Sequence, residues 1–563
     1  MYRAALVSLP RRPLLALAAL AAVLLVVSAA SGAAAPAPIL TITQVTAGLN
    51  DSSSGGYEPP DVGLAAGSGF VMELVNLAAR TWRTGSGAPQ QMATQALNDF
   101  FHAGTDRLTD PRILYDAQSS RWFASISDID TNSVLLAVSR GSDPSSGWSL
   151  YSYVASGCPD QPRIGLADGV LVIAADVFRS CDEGLSPAFG GELWIVNKQQ
   201  LVAAAASPAF TTYGPDRAYE SLAPVQSMSS TATEYVVAVD NPSSRVVHLL
   251  SVDGIPPAAV RVQEASSIPI SPLTQPPPAQ QPPAGGQRQP SIETNDDRVL
   301  DSVWENGKLW LSANTGCTPV GDTALRSCAR VIEIATATRS VNWDTDLGEP
   351  GAHLFFPAIR PDASGNLVIV YGESGVALLP QLVALGRAPD GSLTTPIVVA
   401  QSVGQHEGGR YGDYFGAARD PAHPELVWVA GEQGIDVQGA RGWSTVVAAA
   451  QVTSAGVTPP VIRGAAPPGV KARPVTGRVG AAIRLSYTAL DDGAAVRQRL
   501  VVSAKNTVVF TVMTTPGRLN IGQGYYVLWH PARRLRGTFS WCVRTIAADG
   551  TRSPQSCSTV TLR

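Results

Sequence analysis

A proline-led unit recurs along most of this chain, and that recurrence constrains the fold more than any other feature. Segments such as EPPDVGLAAGSGFVMELVN, TDPRILYDAQSSRWFASIS, DQPRIGLADGVLVIAADVF and ESLAPVQSMSSTATEYVVAVD open on polar residues and proline. Each then runs into alternating apolar strands. RQPSIETNDDRVLDSVWENGKLWLSAN and FFPAIRPDASGNLVIVYGESG continue the series, and RYGDYFGAARDPAHPELVWVAGEQG ends it with Gly412–Asp413 in place of the proline. The anchors Pro60, Pro111, Pro162, Pro224, Pro290 and Pro357 are 51, 51, 62, 66 and 67 residues apart, and 55 more reach Gly412.

Periods near 50 with several short strands per unit predict an all-β fold, a β-propeller of four-stranded blades. Seven units suggest seven blades, with six or eight open, because ILTITQVTAGL near the start could complete the last blade. Turns such as Asp168–Gly169 and Asn306–Gly307 separate the first and second strands of a unit. Trp122, Trp194, Trp304, Trp310 and Trp428 are then expected between blades. The 52 glycines and 43 prolines agree, since so many helix breakers disfavour a helical protein. The Pro/Gln-rich stretch 269–290 is expected to be an extended, mobile loop inside the propeller, which spans 34–457. Thr458–Pro474 reads as a linker, and 475–563 as a second module of short alternating strands, a β-sandwich.

Residues 1–33 have the pattern of an export signal: Arg3, Arg11 and Arg12, an apolar run from Leu14 to Val27, then small residues. A retained N-terminal anchor is the alternative. No later run is long and apolar enough to span a bilayer. Export to the cell surface or the extracellular space suits the cysteines. Cys158 with Cys181, Cys317 with Cys328 and Cys542 with Cys557 form three sequence-local pairs, although six cysteines allow fifteen connectivities. Unpaired buried thiols are the other reading. A formal net charge of −4 gives no electrostatic case for nucleic acid.

Chemistry is harder to find. The six histidines show no H-x-H and no H-E-x-x-H, and nucleophile elbows, phosphate loops and dinucleotide fingerprints are absent. Propeller geometry nonetheless predicts where a site lies, because polar residues at the starts of the first strands converge on one channel mouth. Asp61, Asp110, Arg112, Asp160, Arg163, Asp296, Arg298, Arg410 and Asp413 are the candidates. Arginines there could hold a carboxylate or sulfate; paired carboxylates could act on a glycosidic bond; or the two could pair with each other and stabilise the ring. No cofactor is expected, save a structural calcium at Asp128, Asp130 and Asn132, whose alternating oxygens match half a calcium loop but lack its Gly and distal Glu. Turn capping explains the same residues.

PPDVGLAAG, DPRILYDAQSSRWF, NDDRVLDSVWENGKLW and RYGDYFGAARDP resemble poorly characterised secreted bacterial propellers of the sialidase-like or BNR-like class, over Pro59 to Gln451. That resemblance implies no agreed activity. The sialidase Asp-box and the Arg-Ile-Pro motif are missing; Pro111-Arg-Ile and Pro162-Arg-Ile only echo the latter. Gly537-Thr-Phe-Ser-Trp-Cys-Val with Ala547-Ala-Asp-Gly resembles the closing strands of immunoglobulin-like or fibronectin type III-like modules, which implies that Cys542 and Cys557 tie the last two strands. The favoured expectation is a non-catalytic extracellular module presenting its channel mouth to a glycan, peptide or envelope partner. The alternative is a sialidase-like glycan hydrolase or lyase.

Overall fold

The computed structural model describes residues 37–85, 88–182, 188–283, 291–406, 408–437, 440–453, 470–490, 496–505, 507–514, 517, 519, 524–546, 552–553 and 555–563. The expected export signal and most of the linker lie outside these residues. Among those described, helix is confined to Leu97–Phe101, Lys198–Val202 and a 3-10 turn at Pro144–Ser146, and no helix is long and apolar enough to cross a membrane.

The repeat resolves into four-stranded antiparallel meanders taken in chain order: 63–96, 108–154, 158–216, 223–269, 299–347 and 353–401. The last sheet is assembled from both ends of the repeat. Gly416–Arg419, Leu426–Val437 and Ala440–Thr453 supply three strands, and Ile39–Asn50 pairs with Ala440–Thr453 as the fourth. The ILTITQVTAGL segment thus closes the sheet, as its alternation suggested.

Apolar burial runs between sheets, which is the construction of a β-propeller. Trp122 packs where 63–96 meets 108–154, and Trp194 where 108–154 meets 158–216. Trp304 fills the contact of 223–269 with 299–347, and Trp310 that of 299–347 with 353–401. Trp428 joins the closing sheet to 63–96, so the series of contacts returns to its start. At the axis this needs close approach: a Cβ on Gly416 would lie 2.5 Å from the Cβ of Leu64. The innermost strands also touch directly, where Gln226 pairs in parallel with both Leu166 and Val303.

Over its described residues, 269–283, the Pro/Gln-rich stretch is tied down by hydrogen bonds. Leu273 donates its N–H to Ser244, Ala279 exchanges bonds with Ile292, and Gln281 exchanges bonds with the backbone of His406 at 2.7 and 3.0 Å. Leu273, Ala279 and Gln281 are buried. Proline removes ladder donors but leaves side-chain anchors, and those hold the segment down.

Two further sheets follow the repeat. Val470–Ala472, Ile483–Ala489 and Gly524–Trp529 form one; Val475–Gly477, Ser556–Leu562, Gly537–Ile546, Arg497–Ala504 and Thr507–Met513 form the other. One apolar core, including Leu485, Tyr487, Trp529, Leu500 and Trp541, draws on both. All six cysteines are bonded, Cys158–Cys181, Cys317–Cys328 and Cys542–Cys557. Cys542 and Cys557 face each other across adjacent strands.

Candidate functional site

The first strands start with a bulge. Asp110, Gln161 and Phe356 have φ of 60°, 46° and 54°, each precedes a proline, and each falls in an interruption of the strand register. Bulges of this kind re-aim side chains. Asp61 has the same backbone, φ 51°, so Val62 stands where Pro111 and Pro162 do. The sequence anchor Pro60 is therefore two residues out of register with its counterparts.

The bulges bring carboxylates together. Asp61, Asp110 and Asp413 are all buried, with carboxylate oxygens within 4.8 Å of one another. Asp61 accepts the Asp413 N–H at 2.6 Å and the Asn76 amide at 2.7 Å. Asn76 in turn accepts the Asp110 N–H at 2.8 Å, and Asp110 accepts the Gln161 N–H at 3.2 Å. Burial, then the Asp413 and Asp110 charges, pushes Asp61 well above the ordinary carboxylate range. Burial with the charges of Asp160 and Asp413 raises Asp110 to about 8. Asp160 is raised by burial against the pull of Arg298. Among the described residues, the trio Asp61, Asp110 and Asp413 is the group of His, Cys or carboxylate ligands that could converge on a metal ion.

The arginines are engaged. Arg298 holds Asp176 at 2.9 Å and Asp296 at 2.7 Å, and it reaches the Gln161 amide oxygen at 3.2 Å. Asp296, although buried, is held below its usual value by that guanidinium. Arg410 donates to both oxygens of Asp413 at 2.8 Å. Arg163 donates to Ser221 at 2.6 Å and Gln161 at 2.9 Å, and burial lowers its pKa to about 10. Arg112 lies flat on Tyr414, its guanidinium carbon 3.2 Å from the ring centroid. The structure thus unites the nine mouth residues expected from sequence and adds Asn76, Gln161, Asp176 and Tyr414. Gln161 and Tyr414 directly follow Asp160 and Asp413, Asp176 lies on the next strand and Asn76 just after one, and no spacing signal singles these four out.

Asp128, Asp130 and Asn132 sit elsewhere, on a hairpin turn. Asp128 accepts the N–H groups of Asp130 and Thr131 at 3.1 Å, Asp130 pairs with Arg107 at 2.7 Å, and Asn132 takes a left-handed φ of 50°.

Past the carboxylates, the first strands enclose a narrow axial cavity of about 80 Å³, whose wall includes Arg112, Arg163, Asp301 and Arg360. It shares Leu64, Leu114 and Gln226 with a wider funnel of about 450 Å³ at the strands' other ends. There Lys198 and Asp116 form a buried ion pair at 3.2 Å.

No family model matches the chain, and no curated protein matches it. Among solved structures, phage phi92 endosialidase aligns over 93% of this chain and 87% of its own at 9% identity, TM-score 0.35. The Dos1 propeller aligns over 73% and 95% at 9% identity, TM-score 0.33. An exo-β-1,3-galactanase from Clostridium thermocellum aligns over 63% and 65% at 11% identity, TM-score 0.29. Likeness at this level carries no functional weight.

Proposed function

We propose that this chain is a secreted binding protein, a seven-bladed β-propeller followed by an immunoglobulin-like or fibronectin type III-like β-sandwich. In this reading its carboxylate mouth captures a cationic group, such as a protonated amine on a peptide or glycan of the cell envelope. One observation carries it: Asp61, Asp110 and Asp413 crowd together while Arg298 and Arg410 beside them are already paired. A cation gains there by displacing the protons that burial and neighbouring carboxylates hold on Asp61 and Asp110, and so relieves the crowding.

The rival reading is a glycan hydrolase. It rests on Asp110, a carboxyl raised to about 8 and so able to donate a proton at neutral pH, beside a second carboxylate. Peptide and glycan arrays, followed by a hydrolysis screen on the same hits, separate the two. Binding without turnover, weakened at least about tenfold by Asp110→Asn, is expected. Turnover that Asp110→Asn abolishes would establish the hydrolase instead.

A further inference from the structure

Arg112, Arg163 and Arg360 reach the axial cavity from three different sheets. Arg163 and Arg360 are only 5% and 7% exposed. Each of the three keeps guanidinium N–H groups without an acceptor among the described residues: Nε and Nη2 of Arg112, Nε of Arg163 and Nη1 of Arg360. Their other contacts hold them in place. Arg163 is fixed by Ser221 and Gln161, Arg360 donates Nε to the Ala417 carbonyl at 2.9 Å, and Arg112 lies on Tyr414.

The local charge is unbalanced. Asp301, paired with Arg360 at 3.2 Å, is the carboxylate in the wall of this cavity, so three cations face one anion. Asp176 acts on Arg163 but is paired with Arg298, and Asp110, which feels the Arg112 charge, is raised by burial to about 8. Buried donors in native proteins find a protein, water or ion acceptor. Water would satisfy the N–H groups but leave the excess positive charge in a low-dielectric channel.

We propose that this cavity is an inorganic-anion site, in which Arg112, Arg163 and Arg360 together hold one small halide or oxyanion on the propeller axis. At about 80 Å³ it has room for a monatomic or tetrahedral anion. The cavity shares the wall residues Leu64, Leu114 and Gln226 with the funnel. Arg112 and Arg163 belong to the same cluster as the mouth, but Asp61, Asp110 and Asp413 do not line this cavity, so an anion here does not require a ligand at the carboxylates.

Thermal unfolding of the full chain tests it, in rising sodium bromide or sodium sulfate with ionic strength held by sodium gluconate. A saturable rise in the midpoint with at least one of the two is expected, and Arg360→Gln should weaken the half-saturating concentration at least tenfold. Should that variant not fold, crystals of the unaltered protein grown in bromide and in sulfate provide the second measurement, through anomalous or tetrahedral density beside Arg163 Nε and Arg360 Nη1. A midpoint indifferent to both anions overturns the proposal, as does cavity density that refines as water under both conditions.

Discussion

The backbone N–H of Asp413 donates to the carboxylate of Asp61 at 2.6 Å, across 352 residues of chain. That bond joins the closing sheet to the first at the very place where acidic side chains are densest. Assembly of the ring and crowding of its carboxylates are therefore one event.

The crowding predicts a pH dependence. Asp110 has a folded pKa of about 8 against an ordinary value of 3.8, so between those values the folded protein holds a proton that the unfolded chain has lost. Stability must then fall as pH rises from about 4 to about 8. Denaturant midpoints measured across that window should decline in the natural protein, and less steeply in Asp110→Asn. An equal slope in both would place the titration elsewhere.

Binding should couple to the same proton. A cation that needs Asp110 ionised must displace its proton, so affinity for a cationic ligand should increase between pH 6 and pH 8.5. Calorimetry in buffers of different ionisation enthalpy would register the released proton. A pH-independent affinity would remove Asp110 from the contact.

His406 makes a separate, alkaline prediction. It lies between Glu58 at 3.1 Å and Glu432 at 3.3 Å, and although burial opposes its charge, the two carboxylates raise it to about 10. A raised histidine contributes fully below its unfolded value of 6.5 and loses that contribution as pH climbs through 10. His406→Ala strands Glu432, which has no exposure, and should cost about 3–5 kcal/mol at neutral pH. Its stability should also vary less between pH 7 and 10 than that of the natural protein, as denaturant titrations would reveal.

Proteolysis should distinguish the two proline-rich stretches. Cleavage is expected first in the Pro/Gly-rich sequence that precedes the paired strand Val470–Ala472, whereas 269–283 should resist through Leu273, Ala279 and Gln281. Arg497 donates to the carbonyls of Val398 and Val399 at 3.2 and 2.6 Å, so Arg497→Ala should speed separation of the two fragments after the cut. Early cleavage near Gln281 would contradict the anchoring.

Much of this was legible in residue order because a bulge before proline punishes misplacement. Pro111 and Pro162 lie at equivalent points, and the polar residues around them meet at one mouth as strand direction requires. Pro60 misled by two positions because the left-handed residue there, Asp61, follows a proline instead of preceding one. The Glu58–His406–Glu432 cluster and the part played by Arg360 were invisible. Glu58 meets His406 only where the ring closes, and Arg360 meets Asp301 and Ala417 from neighbouring sheets, so no local period marks either contact. The bonds of Gln281 were hidden for a related reason: composition reports which backbone bonds a segment cannot make, not which groups elsewhere will receive it.

Ile39 pairs with Thr453, the first strand of the ring against its last. A chain emerging from its amino end must therefore keep Ile39–Asn50 without its sheet partner until more than four hundred further residues have been made. Every earlier sheet can form behind it, but the circle has no final shape until then. Folding of such a ring is timed by the arrival of its end and not by the appearance of its beginning.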